Sequence, residues 1–363
     1  MQASSKILAL ALLLSMAAGK GLAQVWPGDV NNNGIVNNID LLYLGQALFE
    51  NGPPRLPMDI GIEWEEKPIM ALWPQAFPDG TNYAFADCDG DGVVSQMDQD
   101  AIEFNYGLTH GTVSPDVFVA GMPGVAPPLS IDALAGSIFE NSFAAMTIDL
   151  GTSALEVNDL RGIAFTIKYD PDIFGADPVQ FFPGEWIDSG PGGLLVSINK
   201  DVAAGEIEVG LSRMGMPLSG SGVVGTFLIV IEDDVVGLET SIETVMSIKD
   251  VRVLMSDFND LPVFADSTVV TILNNDFVSS TSELEQSIQV YPLPATGRLF
   301  IETTNHTVGG FEISSLSGKV LLAEKVENGR GRIPIRLDGL APGMYLLKLD
   351  TDSGPLIKKI IVQ

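Results

Sequence analysis

Residues 29–40 and 87–98 fall into register with one another, and both place oxygen-bearing side chains at nearly every second position around a glycine. Positions 1, 3 and 5 are Asp29, Asn31 and Asn33 in the first stretch and Asp87, Asp89 and Asp91 in the second. Position 6 is Gly34 or Gly92, where the chain must turn through a backbone conformation that side chains disfavour. Such a segment is neither strand nor helix, because its carboxylates repel one another until something positive is wrapped. A large hard cation takes six to eight oxygens at about 2.3–2.6 Å, which this spacing supplies. Position 7, Ile35 or Val93, gives only its carbonyl, so an apolar side chain there is free to point inward. Position 9, Asn37 or Ser95, acts through water. Position 12 is Asp40 or Asp98, where the general EF-hand has a bidentate Glu. The spacing therefore predicts two calcium sites. A single Asn/Asp/Gly-rich stretch also suits an ordinary surface turn, but two full matches that each run into a helical pattern favour the cation loop. The first loop carries two carboxylates and the second four, so the second is expected to bind more tightly.

Behind each loop the apolar residues recur at helical spacing: Leu41, Leu42, Leu44 and Leu48 after the first, Ile102 and Phe104 after the second. Paired loops with Asp at the twelfth position and one trailing helix each resemble the dockerin type I module, a small EF-hand-like α domain. That resemblance implies that the loop residues bind calcium and that the trailing helices form the surface for a cohesin. The stretch between the loops, residues 41–86, is longer than in compact dockerins and carries an insert at 49–86. Within it Glu63, Glu65 and Glu66 surround Trp64, with Trp73 and Tyr83 beyond. Aromatic rings beside carboxylates suit sugar binding, but they also anchor a small domain with little core, and anchoring is the favoured reading.

The first 23 residues read as a secretory signal peptide, with Lys6, an apolar run from Ile7 to Ala18 and a small-residue cleavage site at Gly21–Ala23. The run is too short to span a bilayer. A formal net charge of -28 over 363 residues excludes nucleic acid as a natural partner, since phosphate binding needs the opposite sign. The acidity lies upstream, because residues 286–363 hold nine Lys/Arg against seven Asp/Glu. That shift marks a domain boundary. The single cysteine, Cys88, allows no intrachain disulfide, and its place at position 2 of the second loop predicts a plain surface thiol.

From about residue 111 the texture becomes short alternating runs bounded by Gly, Pro, Asp and Asn. Met146, Ile148 and Leu150 alternate with polar neighbours, as do Ile163, Phe165, Ile167 and Tyr169, then Ile207, Val209 and Leu211. Residues 223–231 are almost continuously apolar, and further strands are expected near 193–198, 249–255 and 267–273. Many short strands without helices between them imply two sheets sharing one core. The run Gly162–Phe174, a strand ending at Tyr169-Asp170-Pro171, resembles an early strand of cohesin domains, and Gly222–Ile231 resembles a later one. Over residues 125–275 the resemblance implies a nine-stranded jelly-roll sandwich, one face of which receives a dockerin or another ligand.

The carboxyl end, with Val290–Ala295, Phe311–Val320, Leu340–Leu349 and the basic-apolar finish Lys358–Gln363, resembles the C-terminal sorting domain of the type IX secretion system of Bacteroidetes. Leu293 stands where that family usually has Asn. Read alone, the segment is an Ig-like β-sandwich of about seven strands with turns at Gly318, Gly339 and Pro342–Gly343. The resemblance implies export by the leader, then passage to the outer cell surface or the medium under the direction of this domain.

Hydrolysis would need a poised acid/base pair, an activated nucleophile or an open catalytic metal. With only His110 and His306 present, a Ser-His or Cys-His arrangement is poorly supplied, and both histidines read as surface residues. The sequence thus reads as a multidomain, non-catalytic protein: signal peptide 1–23, dockerin-like calcium domain 24–110, cohesin-like sandwich 111–277, linker 278–287 and sorting domain 288–363. The expected role is extracellular or cell-surface assembly through a cohesin- or dockerin-bearing partner, a second copy included, with a link to polysaccharide degradation. The other reading is a carbohydrate-binding surface adhesin in which calcium is structural.

Overall fold

The computed structural model describes residues 23–134, 138–175, 180–190, 193, 195–237, 239–274, 287–316, 318–326 and 329–363. The leader up to residue 22 and the linker up to residue 286 lie outside the described residues. Two compact units emerge, residues 23–36 with 47–114 and residues 37–46 with 115–363. The structural division therefore departs from the boundary expected at residue 110. The end of the first loop and most of its trailing helix, α1 (Asn38–Ala47), count with the β-rich part.

In the first unit β1 (Ala23–Val25) pairs antiparallel with β2 (Lys67–Ile69), a short 3-10 turn covers Tyr83–Phe85, and α2 (Gln96–Phe104) follows the second loop. Ser95 caps α2: its hydroxyl accepts from the Met97 amide, while Asp98 accepts from the Ser95 amide, a capping box that fixes where loop becomes helix. Trp73 and Phe77 are buried, and Phe77 packs on Tyr83 with ring centres 4.5 Å apart. The insert's aromatics thus build local core, as anchoring requires. Cys88 corrects the expectation of a surface thiol. It is fully buried, with Sγ 3.6 Å from the Phe85 carbonyl, because a residue facing away from the loop's interior faces the body of a small domain. The expectation for position 7 is corrected too: Val93 is exposed, and the apolar side chains that turn inward are Val36 and Val94, one residue on.

The second unit holds a two-sheet sandwich. Its strands are β3 (Pro128–Ala133), β4 (Ile138–Phe139), β5 (Phe143–Leu150), β6 (Val157–Lys168), β7 (Gln180–Pro183), β8 (Leu195–Ala203), β9 (Glu206–Arg213), β10 (Leu218–Gly220), β11 (Gly222–Val230), β12 (Ser241–Met255), β13 (Phe264–Ala265) and β14 (Ser267–Leu273), with a single turn of helix, α3 (Glu185–Asp188). One sheet runs β4-β14-β12-β6-β9-β8 with β10 beside β6, the other β13-β3-β5-β11-β7. Nine strands carry the architecture, and β4, β10 and β13, of two or three residues each, trim its edges. Ile163, Phe165 and Ile167 of β6 and Ile207, Val209 and Leu211 of β9 face the common core, meeting Met146, Ile148 and Phe227 from the opposite sheet. This is the alternation read from the sequence. Beyond it, β15 (Ile288–Tyr291), β16 (Arg298–Thr303), β17 (Val308–Ser315), β18 (Val320–Lys325), β19 (Gly331–Arg336), β20 (Gly343–Thr351) and β21 (Gly354–Val362) form sheets ordered β15-β16-β19 and β18-β17-β20-β21 around Leu299, Ile313, Leu347 and Ile360. The seven strands match the sequence estimate.

Candidate functional site

The two loops repeat one hydrogen-bond scheme. In the first, Asp29 accepts from the amides of Asn33 (3.0 Å) and Gly34 (2.9 Å), Asn31 accepts from Asn33, and Asn33 from Ile35. In the second, Asp87 accepts from the amides of Gly90 (3.0 Å) and Gly92 (3.3 Å), Asp89 accepts from Asp91, and Asp91 from Val93. At the far end of each loop the twelfth residue reaches back to the ninth, Asp40 accepting from the Asn37 amide at 2.8 Å and Asp98 from the Ser95 amide at 2.6 Å.

Gly34 and Gly92 hold the sharp turn with φ of +95° and +92°. A Cβ on either would stand 2.9 Å from a carbonyl oxygen, of His110 or Gly52 respectively. Those two contacts belong to a wider symmetry in which the pairing of each loop with the other half's tail recurs after a shift of 58 residues. The segment after α1 pairs with the second loop through Phe49–Val94, Val94–Glu50 and Gly52–Gly92 bonds. The segment after α2 pairs with the first through Gly107–Val36, Val36–Leu108 and His110–Gly34 bonds. Isolated bridges at Asn51–Val93 and Ile35–Thr109 complete the pattern.

Charge is packed tightly here. Ligand oxygens of Asp87, Asp89 and Asp91 lie within 4.8 Å of one another. Burial pushes the Asp98 carboxyl up to about 8 and that of Asp87 up to about 6, with the Arg55 guanidinium opposing the rise at Asp87, and burial raises Asp89 as well. Asp29 is also raised by burial, against the hydrogen bond from His110 and the loop amides. Burial disfavours the charged form of each of these carboxylates, and a divalent cation beside them would offset that cost. An all-oxygen set of carboxylates, amide carbonyls and main-chain carbonyls fits calcium and suits softer metals poorly.

Two partners of the loops were invisible in the linear sequence. His110 is half-buried, stacks on Trp26 at 4.9 Å and sets Nε2 2.7 Å from Asp29 Oδ2, with Trp64 edge-on to it. It is thus a support of the first loop. Arg55, buried within the insert, donates to the carbonyls of Asp87 and Cys88 beneath the second loop. His306 bonds Asp352 at 3.3 Å in the C-terminal domain.

The helices behind the loops differ. Within the second unit, α1 lies on the outer face of the β12-β6-β9-β8 sheet. Asn38 Nδ2 donates to the carbonyls of Val209 (3.0 Å) and Phe165 (3.3 Å). Tyr43 meets Phe258 edge-on at 4.9 Å and takes the Arg252 guanidinium over its ring at 5.7 Å. The outward positions beneath the helix are small or apolar, namely Gly162, Ala164 and Thr166 of β6, Gly210 and Ser212 of β9, and Val196 and Ile198 of β8, all buried. A half-exposed sheet alternates apolar with polar residues. Small outward residues in place of charged ones were the signal, present in the sequence, that this face is covered.

Comparison with known proteins bears on both ends and the middle. Residues 27–103 match the dockerin type I domain, a calcium-binding family, and residues 289–363 match the secretion system C-terminal sorting domain. No curated protein matches the chain. Among solved structures, similar ones include a cohesin module of a family 33 glycoside hydrolase from Clostridium perfringens (12% identity, 41% of this chain and 98% of that one, TM-score 0.33). Others are a type I cohesin–dockerin complex from Clostridium thermocellum (14%, 46% and 99%, 0.32) and a non-cellulosomal cohesin from Archaeoglobus fulgidus (15%, 40% and 91%, 0.29).

Proposed function

We propose that the protein is a non-catalytic, exported calcium-binding protein that assembles or attaches proteins outside the cell through dockerin–cohesin-like contacts. The observation that carries the reading is the seat of α1, the helix launched from the first loop, on the outer face of a β-sandwich. In this reading calcium is held at two sites, by Asp29, Asn31, Asn33, Asn37 and Asp40 with the Ile35 carbonyl, and by Asp87, Asp89, Asp91, Ser95 and Asp98 with the Val93 carbonyl. The ion supplies the positive charge that lets each loop close. The chain's own residues do the rest: the twelfth-position Asp ties the loop to the first turn of its helix, so closing the loop sets the helix for docking.

The partner would be a cohesin- or dockerin-bearing protein, and the secretion machinery would meet the C-terminal domain after the leader has directed export. A role around polysaccharide breakdown follows from the company such modules keep. Isothermal titration of the full chain with calcium, followed by limited proteolysis in calcium and in chelator, tests the reading. Two binding events and protection of residues 38–47 only in calcium are expected. Absence of binding, or identical cleavage in both conditions, would overturn it.

The adhesin reading attaches to a different place, a cavity of about 280 Å3 lined by Tyr169, Phe174, Asp201 and Gly205 among others. An aromatic ring beside a carboxylate suits a sugar. Binding of the full chain on a glycan array that is lost in Tyr169→Ala would favour it.

A further inference from the structure

We infer that the outer face of the β12-β6-β9-β8 sheet is a receiving site for one kind of helix, that its resident is this chain's own α1, and that α2 is barred from it. The inference deepens the proposed function by naming the first partner of the docking helix, and it rests on that reading only for the part played by calcium.

The fit is made by a single stripe. Asn38, Leu42 and Gly45 follow one another at i, i+4 and i+7, one face of a helix. Asn38 supplies the two hydrogen bonds to the carbonyls of β6 and β9. Leu42 lies over β6 so closely that a Cβ on Gly162 would come within 2.8 Å of its Cδ2. Gly45 lets the helix backbone approach β9, since a Cβ there would stand 1.9 Å from Ser212 Oγ.

The 58-residue symmetry identifies the matching stripe on α2: Gln96, Asp100 and Glu103, all exposed. A carboxylate in place of the leucine and a glutamate side chain where the seat meets bare backbone cannot enter it, because an unpaired carboxylate is costly to desolvate. The module is symmetric in its loops and one-sided in its docking.

Two features mark the seat as an interface rather than part of one core. The sandwich core between the sheets is built from residues of 129–272, Ile187 of α3 among them, and includes no residue of α1. Ser212 Oγ and Gln46 Nε2 are buried without a hydrogen-bond partner, as happens where two surfaces meet with imperfectly matched polar groups. Removing α1 would expose Val196, Ile198 and Leu254 as an apolar patch, so the face needs an occupant. Tethering decides which. A helix on the same chain acts at an effective concentration of roughly millimolar, so a second copy at micromolar concentration is outcompeted about a thousandfold. An external helix therefore gains the face only where α1 leaves it.

A disulfide tests this in the full chain. A Cβ on Gly210 would lie 3.3 Å from Asn38 Cβ, near the spacing a disulfide spans. The variant Asn38→Cys/Gly210→Cys, in a Cys88→Ala background, is oxidised at micromolar concentration in calcium and analysed by non-reducing electrophoresis and intact mass. Cross-linked monomer in at least tenfold excess over dimer is expected. Predominant covalent dimers or ladders would show α1 reaching another copy and overturn the self-occupied face, and absence of cross-linking would remove α1 from the face altogether.

Because that variant alters packing, Leu42→Asp/Gly45→Glu provides a second measurement. With the sandwich's melting transition retained, cleavage within residues 38–47 should rise at least tenfold, and cleavage unchanged from wild type would overturn the inference. Equal cross-linking in calcium and in chelator would sink the calcium-gated reading while leaving the self-occupied face standing.

Discussion

The two halves of the amino-terminal module share a loop and differ in the helix behind it. Loop one and loop two keep the same bond from the glycine amide to the first Asp, the same left-handed glycine and the same pairing with the other half's tail. Yet α1 is buried from Ile39 through Leu44, whereas α2 shows Gln96, Met97, Asp100, Glu103 and Phe104 to solvent. Loop geometry is set by hydrogen bonds within twelve residues, and both copies keep its sharp glycine turn. A helix surface answers only to what covers it.

Chelation should break the comparison most completely, since both loops lose what holds them. At a thousandfold excess of calcium over the dissociation constant the ion adds about 4 kcal/mol, so its removal should lower the melting of the loop-bearing unit by more than about 15 °C in calorimetry while the sandwich transition stays. Leu42→Ala set against Asp100→Ala, the same position in the two helices, should cost about 2–5 kcal/mol in the first and less than about 0.5 kcal/mol in the second by urea unfolding in calcium. Similar costs would mean that α1 is not seated as described.

Between the loops, Asp87→Ala should weaken the second site by roughly 10- to 100-fold in calcium titration and Asn33→Ala the first by only a few-fold, because one change deletes a charged ligand and the other a neutral one. The smallest effect should also be the most even. Gly34→Ala and Gly92→Ala each force a side chain into a left-handed turn at a cost of about 1–2 kcal/mol, and unequal losses would contradict the symmetry of the turns.

Much of this was legible in the residues. The paired loops with a helix behind each, which match the dockerin type I domain, and the alternation of Ile163, Phe165 and Ile167 are local patterns, written in short stretches of chain. The burial of Cys88 was not, because position 2 leaves the ion's side of the loop and what waits on the other side belongs to the insert. The contact of His110 with Asp29, 81 residues apart, was likewise hidden.

By itself the sequence determined the spacing of oxygen-bearing side chains in the loops and the two-faced strands, since both are written in neighbouring residues. Only the tertiary structure decided which helix meets which sheet. The seat of α1 is assembled from Gly162, Gly210 and Ser212, strand residues brought level by the pairing of β6 with β9 and set against Asn38 across more than a hundred residues of chain. No local rule reports such a meeting, because its free energy comes from surfaces that exist only after both partners have folded.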